Sequence, residues 1–269
     1  MSPELYFKVV LCVLTGLVGL CVGSFLNVVI YRLPEHMSLA TPPSKCPKCG
    51  YKLRWFDNIP IFSYLFLNGK CRQCREKISP RYLIVELSNM ILWLLCLFRF
   101  ATYGWRGILC AVTAAIACSL CLCIALIDLD RQIVFDRFQI MMGVLAVLFT
   151  IGDTETGWIS HLIGGVAGGL AFWLIGLIVS RRVGQDALGG GDVKFAAVTG
   201  LFLGGGKFVI MVLIASISAC IVLLTLGKKS TDENRREYPF GPFLTAGFII
   251  ALFGGEWMIH TYLRILGME

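Results

Sequence analysis

Residues 7–31 read FKVVLCVLTGLVGLCVGSFLNVVIY, twenty-five consecutive positions with a single charge at Lys8. The hydrocarbon core of a bilayer takes roughly 20 residues of helix. Open strands cannot cross it, because their backbone groups would go unpaired. The stretch therefore reads as a transmembrane helix. It is too long for the apolar core of a signal peptide and has no A-x-A-like site, so the expectation is a retained first span. The whole chain agrees. Its 269 residues are 57% hydrophobic and 15% charged, with a mean hydropathy of +0.77, whereas a soluble domain carries roughly 25% charged residues. Working outward, apolar runs predict eight spans at about 7–31, 82–98, 107–127, 138–152, 158–180, 193–204, 208–226 and 240–262. The sixth is short and rich in glycine. The expected fold class is an all-α polytopic membrane protein of about eight transmembrane helices.

The net charge of +7 is explained by orientation. With eight spans, the loops 32–81, 128–137, 181–194 and 228–238 fall on one side and carry 19 of the 24 Lys and Arg residues. The other side holds Lys8, Arg99, Arg106, Lys207 and Arg264. The positive-inside rule makes the richer side cytoplasmic. No nucleic-acid partner is needed to account for the charge, and membrane lipid is the expected surrounding. Within the spans, HLIGGVAGGLAFWLIG at 161–176 has glycines four apart, which suits close helix packing. No internal repeat stands out.

Residues 32–81 form the one long polar segment, with six prolines and ten Lys/Arg. At about 50 residues such a module buries too little apolar surface to hold itself and needs a staple. The pattern Cys46-Pro-Lys-Cys49, a 21-residue gap, then Cys71-Arg-Gln-Cys74 supplies one. Two C-x-x-C turns offer the four thiolates of a closed tetrahedral Zn²⁺ site. Disulfides or a redox dithiol are the alternative, disfavoured by the expected cytoplasmic side. The expected organisation is a first helix (1–31), a cytoplasmic zinc domain (32–81) and a transmembrane domain (82–269). The other eight cysteines lie in apolar spans and read as small hydrophobes.

Carboxylates at the edge of spans ask for an explanation. Asp128, in ALIDLDRQIVFDRF at 125–138, continues an apolar run. Asp192, in LGGGDVKF at 188–195, follows Gly189, Gly190 and Gly191. The predicted topology puts both at the same membrane face. Two carboxylates in one site share a proton, which suits general acid–base hydrolysis of an amide. A proton relay in a transporter uses the same groups. The three glycines are expected to permit positive φ and close passage of a substrate backbone. Lys194 is placed to bind an acid or to mark the membrane edge. Asp130, Asp136 and Asp186 each lie beside arginine and read as solvated or ion-paired. Glu86 inside the second span has no evident purpose, and Ser24 and Asn27 share one helical face of the first.

These blocks together resemble the type IV prepilin peptidases, also called prepilin leader peptidase/N-methyltransferases. The similarity runs through GSFLNVVIYRLP (23–34), CPKC (46–49), NIPIFSYLFLNGKCRQC (58–74), SPRYLIVELSN (79–89), LIDLDRQIVFD (126–136), LGGGDVK (188–194) and YPFGPFLTAG (238–247). The resemblance implies a multi-pass aspartic endopeptidase of the bacterial inner membrane. It would cleave prepilin or pseudopilin leaders at the cytoplasmic face and methylate the new N-terminus with S-adenosylmethionine. It implies Asp128 and Asp192 as the catalytic pair, and Cys46, Cys49, Cys71 and Cys74 as a structural zinc site. One departure stands out: the family's first aspartate block often ends Leu-Pro-Asp, and here Val134-Phe135-Asp136 takes that place.

Overall fold

The computed structural model describes residues 2–102, 104–183, 189–226 and 239–268. Asp186, the basic run 228–238 and Leu188 lie outside them. The described residues fold as α1 (Pro3–Arg32), a 3-10 turn (Trp55–Asn58), α2 (Phe62–Phe66), α3 (Arg81–Phe100), α4 (Trp105–Arg131), α5 (Asp136–Gly152), α6 (Trp158–Val183), α7 (Gly190–Leu203), α8 (Gly205–Leu226) and α9 (Gly241–Ile265). The eight longer helices fall at the eight predicted spans. Among the described residues, six are long and apolar enough to cross a bilayer by themselves. The exceptions are α5 and α7, with 17 and 14 residues. Both were already the shortest predicted spans, and each helix begins a little before its apolar run, at Asp136 and Gly190. In α7, glycines cut both ends: Gly189 caps its start, and Gly204 at φ +77° stops it.

The chain divides into two compact units, residues 1–101 and 102–269. In the first, α1 and α3 pack closely over a glycine stripe on α1. A Cβ on Gly23 would stand 2.8 Å from the Glu86 Cα, and one on Gly19 would stand 3.0 Å from the Met90 Cα. The approach lets polar groups reach across. Asn89 Nδ2 donates to the Gly19 carbonyl at 2.7 Å, and Asn27 Nδ2 to the Tyr82 carbonyl at 3.1 Å. Asn27 is thus an interhelical tie. Ser24 hydrogen-bonds Glu86, whose Oε2 accepts the Ile61 N–H at 2.8 Å. Ile61 has φ +62°. Glu86 therefore gives a part-buried N–H its partner at the point where the polar segment is pinned to α3. Left unpaired, that N–H would cost about 1–3 kcal/mol.

The second unit is organised around α4, which is rich in Ala and Cys. Ala114, Ala117, Cys118 and Cys121 have no exposed surface. Small residues let neighbouring helices approach closely. The α5 helix runs antiparallel to α4, so that Gly152 at its end rests on Arg106 and Cys110. The stripe predicted at 161–176 packs α6 against α7. Added Cβ atoms on Gly164 and Gly200 would collide with each other's backbones, and Gly165 and Gly169 lie against Leu201 and Ala197. Large apolar side chains such as Leu162, Ile175, Leu213, Ile217 and Leu224 stay exposed, as expected where lipid is the solvent.

Candidate functional site

The four cysteines come together. Their sulfurs lie within 4.8 Å of one another, with Cys46 Sγ 3.8 Å from Cys74 and Cys49 Sγ 3.9 Å from Cys71. Tetrahedral coordination at the usual Zn–S distance of ~2.3 Å sets sulfurs roughly 3.8 Å apart, so the donors fit the ion. The thiols alone are ill-matched company. Backbone N–H groups of Cys74 and Gln73 draw the Cys71 thiol down to about 7. Against the Glu76 N–H, which pulls the other way, burial and the neighbouring thiols push Cys74 up to about 12. Four sulfurs this close do not all ionise without a cation between them.

Two equivalent knuckles build this cluster. In each, the first cysteine's N–H donates to a carbonyl five residues on (Cys46 to Tyr51, 2.9 Å; Cys71 to Glu76, 2.8 Å). Its carbonyl accepts the N–H that follows the second cysteine (Gly50, 2.9 Å; Arg75, 3.0 Å). Antiparallel bridges Lys45–Lys52 and Lys70–Lys77 close the two loops. The matching octets KCPKCGYK and KCRQCREK are an internal repeat too short to stand out before the structure pairs them. Asp57 joins the knuckles. Its Oδ1 meets Arg72 Nε at 2.7 Å, and its Oδ2 accepts Tyr51 OH at 3.1 Å and the Arg54 N–H at 3.2 Å. Burial pushes the Asp57 carboxyl up, but these partners together hold it below the usual carboxylate range.

In the second unit Asp128 ends α4 and Asp192 begins α7, and contacts between Gly191 and Val134 and between Lys194 and Asp136 fasten the start of α7 to the loop and helix that follow α4. Asp128 lies in the last turn of α4 and is 6% exposed. The helix stops three residues later, where Gln132 turns left-handed at φ +55° and its N–H returns to the Asp128 carbonyl. A negative side chain at a helix C-terminus is disfavoured by the dipole. Compensation comes from the far end of the chain: the Gly241 N–H, unpaired within α9 because it opens that helix, donates to Asp128 Oδ2 at 3.1 Å. A Cβ at Gly241 would collide with the same oxygen. Asp192 is half-buried in the first turn of α7, where the dipole favours an anion.

The three glycines differ from the expectation in their backbone. None has positive φ. Gly189 is extended at φ −62°, and Gly190 and Gly191 are helical. Their use is space. A Cβ on Gly191 would press on Val134 at 2.9 Å, while Gly190 has no neighbour within 4 Å. Lys194 Nζ pairs with Asp136 Oδ1 at 2.6 Å, tying the second turn of α7 to the first turn of α5. Asp136 is thus ion-paired as expected, with Lys194 as its partner across the helix pair. Two residues escaped the sequence reading. Gly241 left its trace in the block YPFGPFLTAG, of which Tyr238 lies outside the described residues. Gln139 on α5 is buried with both amide atoms unpartnered, and no spacing rule flags a lone glutamine.

The fold and its two clusters define a helical membrane protein with a four-thiol module and a carboxylate pair at helix ends. The chain belongs to the type IV leader peptidase family: the model of that family matches residues 115–224, and that of the bacterial peptidase A24 N-terminal domain matches residues 17–100. Among similar chains is the prepilin leader peptidase/N-methyltransferase of Myxococcus xanthus, 37% identical over 88% of this chain and 70% of its own length. That of Pseudomonas aeruginosa is 31% identical over 97% and 95%, and that of Neisseria gonorrhoeae is 32% identical over 88% and 88%. No solved structure matches the chain.

Proposed function

We propose that this protein is a membrane aspartic endopeptidase that removes the leader of type IV prepilins or pseudopilins and then N-methylates the new N-terminal residue with S-adenosylmethionine. Family membership supports both activities. It does not favour the transporter and redox alternatives weighed from the residues. The observation that carries the peptidase half is the placement of Asp128 at the end of α4 and of Asp192 at the start of α7, which Lys194–Asp136 and Gly191–Val134 fasten beside the segment following α4. The proposed setting is the bacterial inner membrane with the site at the cytoplasmic face. Supporting this are the long apolar helices and the 19 cations on the loops of that side.

The two carboxyls hold one proton between them. The ionised member takes a proton from water, and the hydroxide oxygen adds to the scissile carbonyl carbon. The protonated member hydrogen-bonds the carbonyl oxygen as charge develops there. When the tetrahedral adduct collapses, the C–N bond breaks and the departing amine takes a proton from the pair. The open side of Gly190 leaves room for an extended chain beside Asp192. The Lys194–Asp136 pair holds the start of α7 in place. The Gly241 N–H stabilises charge on Asp128.

Cys46, Cys49, Cys71 and Cys74 would hold a structural Zn²⁺, whose binding supplies folding energy to the module at 32–81. Four thiolates leave it no open position for chemistry. S-adenosylmethionine, when bound, would supply a methyl group to the amine that cleavage frees, with S-adenosylhomocysteine and a proton as the other products. The transmembrane domain, 82–269, carries the peptidase chemistry, both carboxylates lying beyond residue 101. The test is leader removal by purified Asp128→Ala and Asp192→Ala variants: near-normal cleavage by either ends the assignment. Mass spectrometry of the pilin product also reports the methyl group, and a cleaved product without added methyls would leave a peptidase alone.

A further inference from the structure

In the first unit a cavity of about 290 Å³ opens where α1 leaves its apolar run. Its floor is Phe25 and Val28. These lie seven and four residues before Arg32, the last residue of that span, or roughly 10 and 6 Å deeper at 1.5 Å per residue. Its upper wall is built from Arg54, Trp55 and Asn58 of the polar segment. Arg32 is 7% exposed. It donates to the Ser38 carbonyl at 3.0 Å and the Pro42 carbonyl at 2.8 Å, which folds the 38–42 loop over the cavity. Trp55 is 81% exposed on the rim. None of the described lining side chains is acidic. The segment around the cavity sets ten Lys/Arg against Glu35, Asp57 and Glu76.

The cavity is therefore amphiphilic in a fixed direction. Its apolar end points along a membrane helix, and its cationic end lies at the level where that helix emerges. An indole at the same level is the side chain most at home between hydrocarbon and water. A soluble anion would leave the Phe25–Val28 floor unfilled, and a bare acyl chain would leave the Arg54 guanidinium without an anionic partner. Basic recesses beside membrane helices suit lipid phosphates. We propose that this cavity binds one anionic glycerophospholipid. Arg54 and Asn58 meet its phosphate, Trp55 lies against its glycerol region, and one acyl chain lies on Phe25 and Val28. The bound lipid would hold the four-thiol module against the inner leaflet.

The test uses the full-length protein reconstituted in nanodiscs of phosphatidylcholine with either acyl-brominated phosphatidylglycerol or acyl-brominated phosphatidylcholine. Subtracting the emission of Trp55→Phe isolates Trp55 from the other tryptophans. Brominated phosphatidylglycerol is expected to quench Trp55 at least threefold more than the phosphatidylcholine probe at equal mole fraction. Arg54→Gln is expected to abolish that preference with zinc content and leader cleavage unchanged. Native mass spectrometry of the detergent-purified protein is expected to retain one phosphatidylglycerol per chain. Equal quenching by both lipids, or an unaltered preference in Arg54→Gln, would overturn the proposal. So would displacement of the retained lipid by millimolar inorganic phosphate or S-adenosylmethionine, since either would mean that the cavity takes a soluble ligand.

Discussion

The four-thiol module and the carboxylate pair solve opposite assembly problems. Each thiol pair is delivered by a turn of a few residues, and the two turns are copies of one local geometry joined through Asp57. The carboxylates come from helices that meet only through tertiary packing. Asp128 ends α4, Asp192 begins α7, and the N–H that supports Asp128 opens α9, 113 residues away. The first cluster belongs to a segment with little core of its own, so its donors must also be its staple. The second rests on helices already held by glycine-spaced packing, so its groups can be spent on chemistry. Damage should therefore spread differently: removing a thiol should unmake a fold, and removing a carboxylate should leave a fold that does nothing.

Cys71→Ser tests the first half and carries the largest expected effect. A structural zinc site contributes on the order of 10 kcal/mol of apparent binding energy to a small module, so one lost thiolate should release the metal and open residues 32–81. Limited proteolysis should cut there, zinc content should fall to near zero, and the helical signal of the spans should persist. Asp128→Asn tests the second half. It should lower leader cleavage by about 10³-fold or more, since a pair that shares a proton is lost as a unit, with the full zinc content retained. If Cys71→Ser abolished cleavage as completely as Asp128→Asn while the spans stayed folded, the two clusters would be one machine and the contrast would fail.

Gly241→Ala sharpens the contrast, because it changes no ionisable group. A Cβ there meets Asp128 Oδ2, so either the carboxylate or the start of α9 must move. A displacement of about 1 Å in a catalytic group typically costs on the order of 10²-fold in rate. Cleavage should drop by about that factor, with zinc content and thermal stability nearly unchanged. Wild-type activity in Gly241→Ala would show that the α9 N–H is incidental to the pair.

The same contrast explains what could be read from the chain alone. C-x-x-C spacing is local chemistry, so the four-thiol cluster was visible as soon as its cysteines were counted. Hydropathy is a property of a window, so the spans were visible too, apart from the polar or glycine first turns of α5 and α7, which begin two and three residues before their apolar runs. The N–H of Gly241 was not visible, since nothing local says which carboxylate a helix start will meet. Nor was the link from Glu86 to Ile61, which exists because α3 carries Glu86 to a left-handed residue 25 positions earlier. The glycines before Asp192 were noticed, but the positive φ expected of them is not found. Left-handed freedom is the usual reason for a glycine run beside a helix, whereas here the helix begins within the run and Gly191 is small because Val134 lies against it.

Asp57 lies between the two extremes, a carboxylate used structurally. Its side chain is 2% exposed while Arg72 is 46% exposed, so the ion pair is screened on one side and its hydrogen bonds matter more than its charge. Asp57→Asn should weaken the module by about 2 kcal/mol, read as faster zinc loss to a chelator at pH 7. The sign of the pH dependence follows from its partners. Because the folded carboxyl lies below its ordinary 3.8, its stabilisation is complete at neutral pH. It is lost only as pH falls below about 4 and through the folded value. The wild-type and Asp57→Asn rates should therefore differ by a constant factor from pH 6 to 8. A difference that vanished within that range would assign the stabilisation to some other group.

The smallest effect discriminates between the two knuckles themselves. Gly50 and Arg75 occupy the same place, directly after the second cysteine, at φ +72° and +58°, and each returns its N–H to the first cysteine's carbonyl. The geometry is equal, but only one residue suits it: a side chain in the left-handed region costs roughly 1–2 kcal/mol, partly offset because glycine loses more freedom on folding. Arg75→Gly should therefore stabilise the module by about 0.5–1 kcal/mol. Gly50→Ala should destabilise it by a similar amount, through conformation alone, since a Cβ at Gly50 meets nothing within 4 Å. Opposite shifts in the half-life of zinc release would establish that the knuckles are interchangeable in shape and differ only in how well their fifth residue tolerates it. If Arg75→Gly instead sped release, the Arg75 side chain would be holding the second knuckle in a way the first does not need, and the near-symmetry of the two octets would end at the backbone.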